Sequence, residues 1–326
     1  MNRLTCSLTA LLLSTSAHAA QTVTVALDWV PNVNHVGLYV AQAQGWYKAA
    51  GLDVKLLPYA STSPDVLVAA GRADVGISGA EGLTAAVAAG QPLVSIAAIY
   101  ATNTASFAVL EKSGIQRPRD LDGKIYAAFG APYETPIIQT MIRNDGGRGD
   151  FKSPVLNVFG LDAVLAGKAD FMWIFDGVEG VEANLKGLRL RTFNLKRYGV
   201  PDYYTPVFTA NSTTLKRDRA KLRAFLAATR RGYDFARQHP TQAADLMLKA
   251  LPKSTIPDSR VLRDGLNYFV KEKAYTAPGS AWGQQTLKMW TDYPAFLLKA
   301  GAIKGTDGKP VKTLEYRKLF TNDLLR

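Results

Sequence analysis

The chain has 326 residues, enough for two compact lobes of roughly 100–200 residues each. Hydrophobic residues make up 47% and charged residues 20%, a balance that excludes a disordered chain, a collagen and a multi-span membrane protein. The formal net charge of +12 raises nucleic acids and anionic membranes as candidate partners, whereas a single cysteine excludes a disulfide framework and a cysteine-ligated metal site.

The first 19 residues have the three parts of a secretory signal peptide. Arg3 supplies the positive charge, residues 8–13 form a short apolar run, and residues 17–19 give the small-x-small pattern of a cleavage site. The apolar run is shorter than the ~20 residues of a membrane span, and a buried first helix is the alternative. Cys6 precedes the run, so it cannot be the acylated cysteine of a lipoprotein. We therefore expect export to the periplasm.

From residue 22 short apolar strands alternate with helices, which predicts an α/β fold with mainly parallel sheets. Asn34 is a candidate N-cap for a helix that runs to about residue 50, and Ser63-Pro64-Asp65 has the composition of a further helix start. The strands predicted for the first sheet cover residues 22–27, 54–57, 73–78, 94–100 and 106–110.

A polar stretch at residues 117–124 precedes a second series of elements. A helix is predicted over residues 135–144, and beyond residue 210 the chain is almost wholly helical. The strands predicted after the polar stretch cover residues 125–129, 155–159, 169–174, 190–193 and 207–210. The late helices are predicted over residues 215–238, 241–250, 260–271 and 284–300.

This order of elements predicts a large lobe, residues 20–109 and 207–326, into which a small lobe, residues 110–206, is inserted. The two chain crossings, near residues 107–110 and 204–209, would form a hinge. Two domains in series are the alternative. An inserted lobe leaves a cleft lined by strand carboxyl ends and helix amino ends, where ligands of open α/β sheets bind.

Enzyme motifs are mostly absent from the sequence. It has no phosphate-binding loop, no dinucleotide-binding glycine pattern and no zinc-protease helix, and residues 76–80 miss a nucleophile elbow because Ala80 replaces the final glycine. Ser78 also lacks an obvious base. The basic residues of 216–231 share a helix with an apolar face and are not interleaved with aromatics, which favours a solvated surface over a nucleic-acid site. Contact of this basic protein with anionic lipid head groups is a further alternative.

Aromatic and polar residues follow several predicted strands. A tryptophan with amide and imidazole neighbours can stack on a planar ring and hydrogen-bond to its edge. The alternatives are that Trp29 belongs to the core, that Asn34 is only a cap, and that the acidic residues cap helices. The candidate ligand-binding residues are Trp29, Asn32, His35, Ser78, Glu81, Tyr133, Glu134, Trp173, Phe175 and Asp176.

Three of these candidates carry negative charge at positions where an anion would otherwise bind. A helix amino end that faces a cleft attracts anions through its free N–H groups and its dipole. Because Glu81, Glu134 and Asp176 occupy such ends, we expect a preference for an amine-bearing or N–H-rich ligand over sulfonate, nitrate or phosphate. The sequence thus predicts an aromatic, acid-edged pocket that uses no metal and no cofactor.

Two runs of the chain resemble a known family. Residues 27–41, with the sequence LDWVPNVNHVGLYVA, and residues 45–54 are similar to the opening of the thiamine pyrimidine-precursor family. That family contains periplasmic binding proteins for formylaminopyrimidine and eukaryotic hydroxymethylpyrimidine phosphate synthases. The resemblance covers about residues 22–210. Residues 71–76 and 120–124 match the broader group of type II periplasmic binding proteins, which includes sulfonate, nitrate and riboflavin binders.

The resemblance implies a two-lobe protein, expected to be a monomer, that delivers a small aromatic nitrogen heterocycle to the permease of an ABC importer. An aminopyrimidine is the first choice of ligand, with riboflavin and sulfonate or nitrate as alternatives. The synthases use pyridoxal phosphate with a lysine after the third strand, a histidine shortly beyond and a cysteine-rich run near the second crossing. This chain has Ser78, Gly82 and residues 204–207 (Tyr-Thr-Pro-Val) there, which argues against synthase activity.

Overall fold

The computed structural model describes residues 19–154, 156, 160–256 and 258–326. The predicted export signal lies outside these residues except for Ala19, and so does the predicted strand over 155–159 except for Leu156. Among the helices of the described part, none combines the length and the apolar character that a bilayer crossing needs.

The described strands form two sheets, which confirms the α/β fold class. The larger sheet has the order β2-β1-β3-β8-β4 and the smaller sheet the order β6-β5-β7. The strands are β1 (Gln21–Ala26), β2 (Leu52–Leu57), β3 (Val75–Ser78), β4 (Leu93–Ala98), β5 (Ala105–Leu110), β6 (Met172–Phe175), β7 (Leu190–Asn194) and β8 (Val207–Asn211). The predicted strand over 125–129 is reduced to single bridges, from Ile125 to Lys152 and from Tyr126 to Phe171.

The expectation of mainly parallel sheets is wrong. Strand β1 pairs in parallel with β2 and β3, but β8 is antiparallel to both of its neighbours, and the described pairs of the smaller sheet are antiparallel. Strand β8 is antiparallel to β3 because of the point at which the chain re-enters the larger sheet. The chain returns from the smaller sheet at the edge where β3 ends, so β8 has to run away from that edge, opposite to β3.

Helices pack on both sheets. Beyond residue 210 two of them agree with prediction within one residue, whereas the helix predicted over 215–238 is split in two and the helix predicted over 284–300 begins only at Met289. The helices are α1 (Val36–Ala43), α2 (Trp46–Ala49), α3 (Pro64–Ala69), α4 (Ala80–Ala88), α5 (Glu134–Asn144), α6 (Gly160–Leu165), α7 (Val181–Leu185), α8 (Ser212–Arg217), α9 (Arg219–Gln238), α10 (Pro240–Ala250), α11 (Arg260–Lys271) and α12 (Met289–Lys299). The predicted apolar face of α9, which includes Leu222, Phe225 and Leu226, is buried in the core of the larger lobe.

The first predicted helix differs from expectation at its start and in its middle. It is split into α1 and α2 because Gly45 has a left-handed backbone with φ of 70°, a conformation that glycine adopts without strain. Asn34 is not its cap. The side chain of Asn32 accepts the N–H of Asn34 instead, while Asn34 is buried and its own Oδ1 accepts the hydroxyl of Tyr100 at 3.0 Å.

Strand β5 belongs to the smaller sheet, so residues 106–110 do not complete the first sheet as expected. The first crossing therefore lies between β4 and β5, ahead of the predicted hinge at 107–110. Asp202 joins the two crossings, because its carboxylate accepts the Thr102 hydroxyl at 2.6 Å and the N–H of Asn103 at 2.8 Å. The lobe limits 20–109, 110–206 and 207–326 stay a prediction.

Candidate functional site

Three acidic side chains of the larger lobe lie within electrostatic reach of one another. Burial raises the pKa of Glu81 to about 7, and the negative charges of Asp65 and Asp28 add to the shift. Burial also raises the pKa of Asp65 to about 6, although hydrogen bonds from Ser78 and Thr209 oppose it. The Ser78 hydroxyl donates to Oδ2 of Asp65 at 2.6 Å. Strand β3 and helices α3 and α4 thus bring two carboxyls and a hydroxyl together.

Glu81 is the most enclosed of these acids. It is only 7% exposed, and its Oε2 has no hydrogen-bond partner among the described residues. A buried polar atom without a partner costs free energy unless a ligand or water supplies one. Glu81 therefore has unused capacity to bind, and so does Asp176, whose Oδ1 is also buried without a partner among the described residues.

Asp28 follows β1 and is held by His35. Nε2 of His35 lies 2.8 Å from Oδ1 of Asp28, and His35 itself is fully buried. Asn32 is engaged locally, since its Oδ1 accepts the N–H of Asn34 and its Nδ2 donates to the carbonyl oxygen of Val30. The side chains of His35 and Asn32 thus shape the loop that presents Asp28, rather than facing open space themselves.

Trp29 lies on the same loop and is not a core residue. It is 47% exposed, and its ring centroid is 4.9 Å from that of Tyr59, with an angle of 45° between the planes. The two rings form an exposed aromatic pair on the larger lobe. A solvent-exposed aromatic pair of this kind can stack on a planar ligand ring.

The smaller lobe contributes a second group of rings. Tyr133, at the start of α5, has its centroid 6.4 Å from Trp173 and 6.1 Å from Phe129, which is itself 47% exposed. Burial raises the pKa of Tyr133 well above its usual range, and the charges of Glu81 and Asp65 are among the further causes. Tyr133 of the smaller lobe therefore lies within electrostatic reach of the acids of the larger one.

Glu134 is engaged within its own lobe. It is 2% exposed, and its two carboxylate oxygens accept the backbone N–H groups of Phe129 at 3.1 Å and of Ala131 at 2.6 Å. Burial raises the pKa of Glu134, and these hydrogen bonds oppose the shift. The carboxylate fixes the loop that carries Phe129.

Asp176 and Phe175, at the end of β6, have a different set of neighbours. Oδ2 of Asp176 accepts the Ser106 hydroxyl at 2.9 Å, and the N–H of Phe175 donates to Glu179 at 2.8 Å. Burial raises the pKa of Asp176 to about 6, opposed by hydrogen bonds from Ser106 and Tyr268. Because Tyr268 lies on α11, the described contacts place Asp176 against that helix and not beside Glu81.

The structure thus brings Ser78, Glu81, Tyr133 and Trp173 into one region and adds two acids that the list of candidates lacks. Asp28 stands beside Trp29 in residues 27–41, and Asp65 belongs to the helix start at residues 63–65, so both lie in stretches that the sequence singles out, but the sequence does not show that they are close in space. In the described part of the chain, no three His, Cys, Asp or Glu side chains are grouped in a way that could hold a metal ion.

Comparison with known proteins gives a family and a fold. The family model described as NMT1/THI5 like matches residues 32–243. A formylaminopyrimidine-binding protein of Halalkalibacterium halodurans is 28% identical over 86% of this chain and 85% of its own length. A 4-amino-5-hydroxymethyl-2-methylpyrimidine phosphate synthase of Saccharomyces cerevisiae is 25% identical over 68% of each chain. The solved alkanesulfonate-binding protein of Xanthomonas axonopodis has a TM-score of 0.66 at 14% identity, covering 92% of this chain and 98% of its own. The fold is the two-lobe fold of periplasmic binding proteins.

Proposed function

The chain belongs to the NMT1/THI5-like family, and from that membership we propose that it is a periplasmic solute-binding protein of an ABC importer. Its ligand is a small aromatic nitrogen heterocycle, first of all an aminopyrimidine precursor of thiamine. One observation carries the proposal: the acids Glu81 and Asp65 of the larger lobe lie within electrostatic reach of Tyr133 of the smaller lobe, whose ring is beside those of Phe129 and Trp173. Acids and rings from two lobes match a flat ligand that bears N–H groups.

Each lobe has its own part in binding. The rings of Trp29, Tyr133 and Trp173 stack on or edge the heterocycle, and the carboxyls of Asp28 and Glu81 accept its N–H groups. A ligand that contacts both lobes stabilises the closed arrangement over the open one. The permease then recognises the closed form, and no covalent step is needed.

The synthase alternative lacks support from the site. Ser78 stands where the synthases have lysine, and its hydroxyl is engaged with Asp65. We expect no absorbance band of a lysine–pyridoxal adduct when the purified protein is mixed with pyridoxal phosphate. A stoichiometric band would favour a synthase function.

Titration calorimetry tests the ligand class. The probes are formylaminopyrimidine, hydroxymethylpyrimidine, thiamine, riboflavin and taurine, and the Glu182→Gln variant is a matched control because Glu182 is an exposed glutamate that pairs with Lys186. We expect binding of the aminopyrimidines and none of taurine. Tight binding of taurine without any heterocycle would replace the proposal with a sulfonate binder.

The cellular part of the proposal is tested separately. Residues 1–19 are proposed as a cleaved export signal and the mature protein as a periplasmic monomer. The amino-terminal sequence of the protein from a periplasmic fraction should begin at Ala20, and its mass by light scattering should be that of one chain. An uncleaved cytoplasmic protein would contradict the location and the importer role together.

A further inference from the structure

We propose that Glu81 shares a single proton with the bound heterocycle and so selects ligands that have an amidine edge, a ring nitrogen next to an exocyclic amine. The inference rests on the proposed function and deepens it, because it names the chemical feature that the site reads. It also makes binding dependent on pH in a direction that can be measured.

No other described residue donates a hydrogen bond to the Glu81 carboxyl, so both of its oxygens are left for a ligand. Oε2 is buried without a partner among the described residues. The carboxyl lies against the backbone at the end of β3, since a Cβ added to Gly79 would be 2.5 Å from it. The charge of Glu81 also contributes to the raised pKa of Tyr133 on the smaller lobe, and Tyr133 packs against the core cluster that contains Ala80, the neighbour of Glu81, so Glu81 lies close to the junction of the lobes.

Among the described residues, the titratable groups that shift the pKa of Glu81, or whose own pKa Glu81 shifts, carry no positive charge. Asp65 and Asp28 are negative, and the remaining groups are neutral phenols whose own pKa burial raises. These titratable neighbours are Asp28 after β1, Asp65 on α3, Tyr133 before α5, Tyr203 before β8 and Tyr293 on α12. Because a buried carboxylate beside two others is costly, Glu81 keeps its proton up to about neutral pH.

A protonated carboxyl fits an amidine edge at two points. Its O–H donates to the ring nitrogen and its carbonyl oxygen accepts an N–H of the amine, which gives two parallel hydrogen bonds. The same pair with the proton on the ring nitrogen is a carboxylate with an amidinium ion. Either way the pair holds one proton, and no covalent bond to carbon changes. Sulfonate and phosphate offer no such edge and meet the charges of Asp28 and Asp65.

The experiment measures the Kd of 4-amino-5-hydroxymethyl-2-methylpyrimidine by calorimetry between about pH 7 and about pH 9. Above the pKa of Glu81 a proton has to be taken up, so the Kd of the wild type and of Glu182→Gln rises about tenfold per pH unit. The amide of Glu81→Gln donates and accepts like a protonated carboxyl, so this variant keeps binding with a Kd that does not change with pH. Glu81→Ala binds weakly throughout.

A second measurement needs no variant. Calorimetry of the wild type in two buffers of different ionisation enthalpy counts protons, and we expect uptake of nearly one proton per ligand about one unit above neutral pH. A flat Kd and no proton uptake in the wild type, or the same pH slope in Glu81→Gln, overturns the inference while the proposed function stands. Failure of the wild type to bind any heterocycle at any pH overturns both the inference and the proposed function.

Discussion

His35 donates to Asp28: its Nε2 lies 2.8 Å from Oδ1 of that carboxylate, while its Nδ1 accepts the N–H of Asn32 at 3.1 Å. Since Nδ1 is an acceptor, the ring proton sits on Nε2 and points at Asp28. The imidazole is fully buried, whereas the Asp28 side chain is 30% exposed. His35 thus holds the Asp28 carboxylate in place, and we expect it to act as a positioning residue for ligand binding.

Replacing His35 tests this arrangement. In His35→Ala the carboxylate of Asp28 and the N–H of Asn32 lose a buried partner, so the free energy of unfolding should fall by about 1–3 kcal/mol and ligand binding should weaken. Urea denaturation and calorimetry measure the two effects. His239→Ala, at an exposed helix end, should change neither. Equal stability of the two variants would refute the positioning role.

Trp29 is expected to act on the ligand and not on the fold. Because its ring is 47% exposed, Trp29→Ala should leave the free energy of unfolding within about 0.5 kcal/mol of the wild type. Binding of an aminopyrimidine should weaken by about 1–3 kcal/mol through lost stacking. Trp29→Phe keeps a flat ring and should recover part of the loss. Unchanged affinity in Trp29→Ala would place the ligand away from this loop.

Asp176 distinguishes two possible extents of the site. If its carboxylate accepts a ligand N–H, Asp176→Ala weakens binding by about 1–3 kcal/mol. Asp176→Asn is the matched variant, because an amide oxygen can still accept the Ser106 hydroxyl. A loss of stability without a loss of affinity in Asp176→Ala would assign this carboxylate to the packing of α11 alone.

The raised pKa values of two buried carboxyls predict how the free energy of unfolding depends on pH. The pKa of Glu81 is raised from 4.5 to about 7 and that of Asp65 from 3.8 to about 6. Between these values the native state binds more protons than the unfolded chain, so the free energy of unfolding contributed by these groups falls as pH rises from about 4 to about 7 and levels off above. For Glu81 the change is on the order of 3 kcal/mol. Urea denaturation should show a flatter pH profile for Glu81→Gln, and identical profiles would argue against a desolvated Glu81.

The close packing of α1 on α9 depends on two glycines. A Cβ added to Gly232 would overlap the carbonyl oxygen of Gly37. Gly232→Ala should therefore force the helices apart and lower the free energy of unfolding by about 3 kcal/mol, the upper end of the usual cost of overpacking. Ala227→Ser, on the exposed face of α9, should cost less than about 0.5 kcal/mol. A stable Gly232→Ala protein in thermal denaturation would contradict this packing.

Local sequence patterns were enough to predict most of the helices and strands. Strands β7 and β8 and helices α10 and α11 lie within one residue of their predicted bounds, and the buried face of α9 was visible as helical spacing of apolar residues. Such features depend on neighbours a few positions away, which a sequence displays directly. Residues 27–41, which carry the resemblance to the family, are likewise a local pattern that the sequence displays directly.

Tertiary structure decided what depends on distant partners. The direction of β8 and the sheet of β5 follow from how the chain crosses between lobes, and pairing across such distances leaves no mark in a short window. Likewise, Glu81 lies within electrostatic reach of Asp28 and Asp65, whereas the oxygens of Glu134, which looks equivalent in sequence, accept N–H groups of its own loop, and Asp176 packs beside α11 with one oxygen bound to Ser106. A carboxyl group owes its charge state to the water and charges around it, and only the packed molecule determines those.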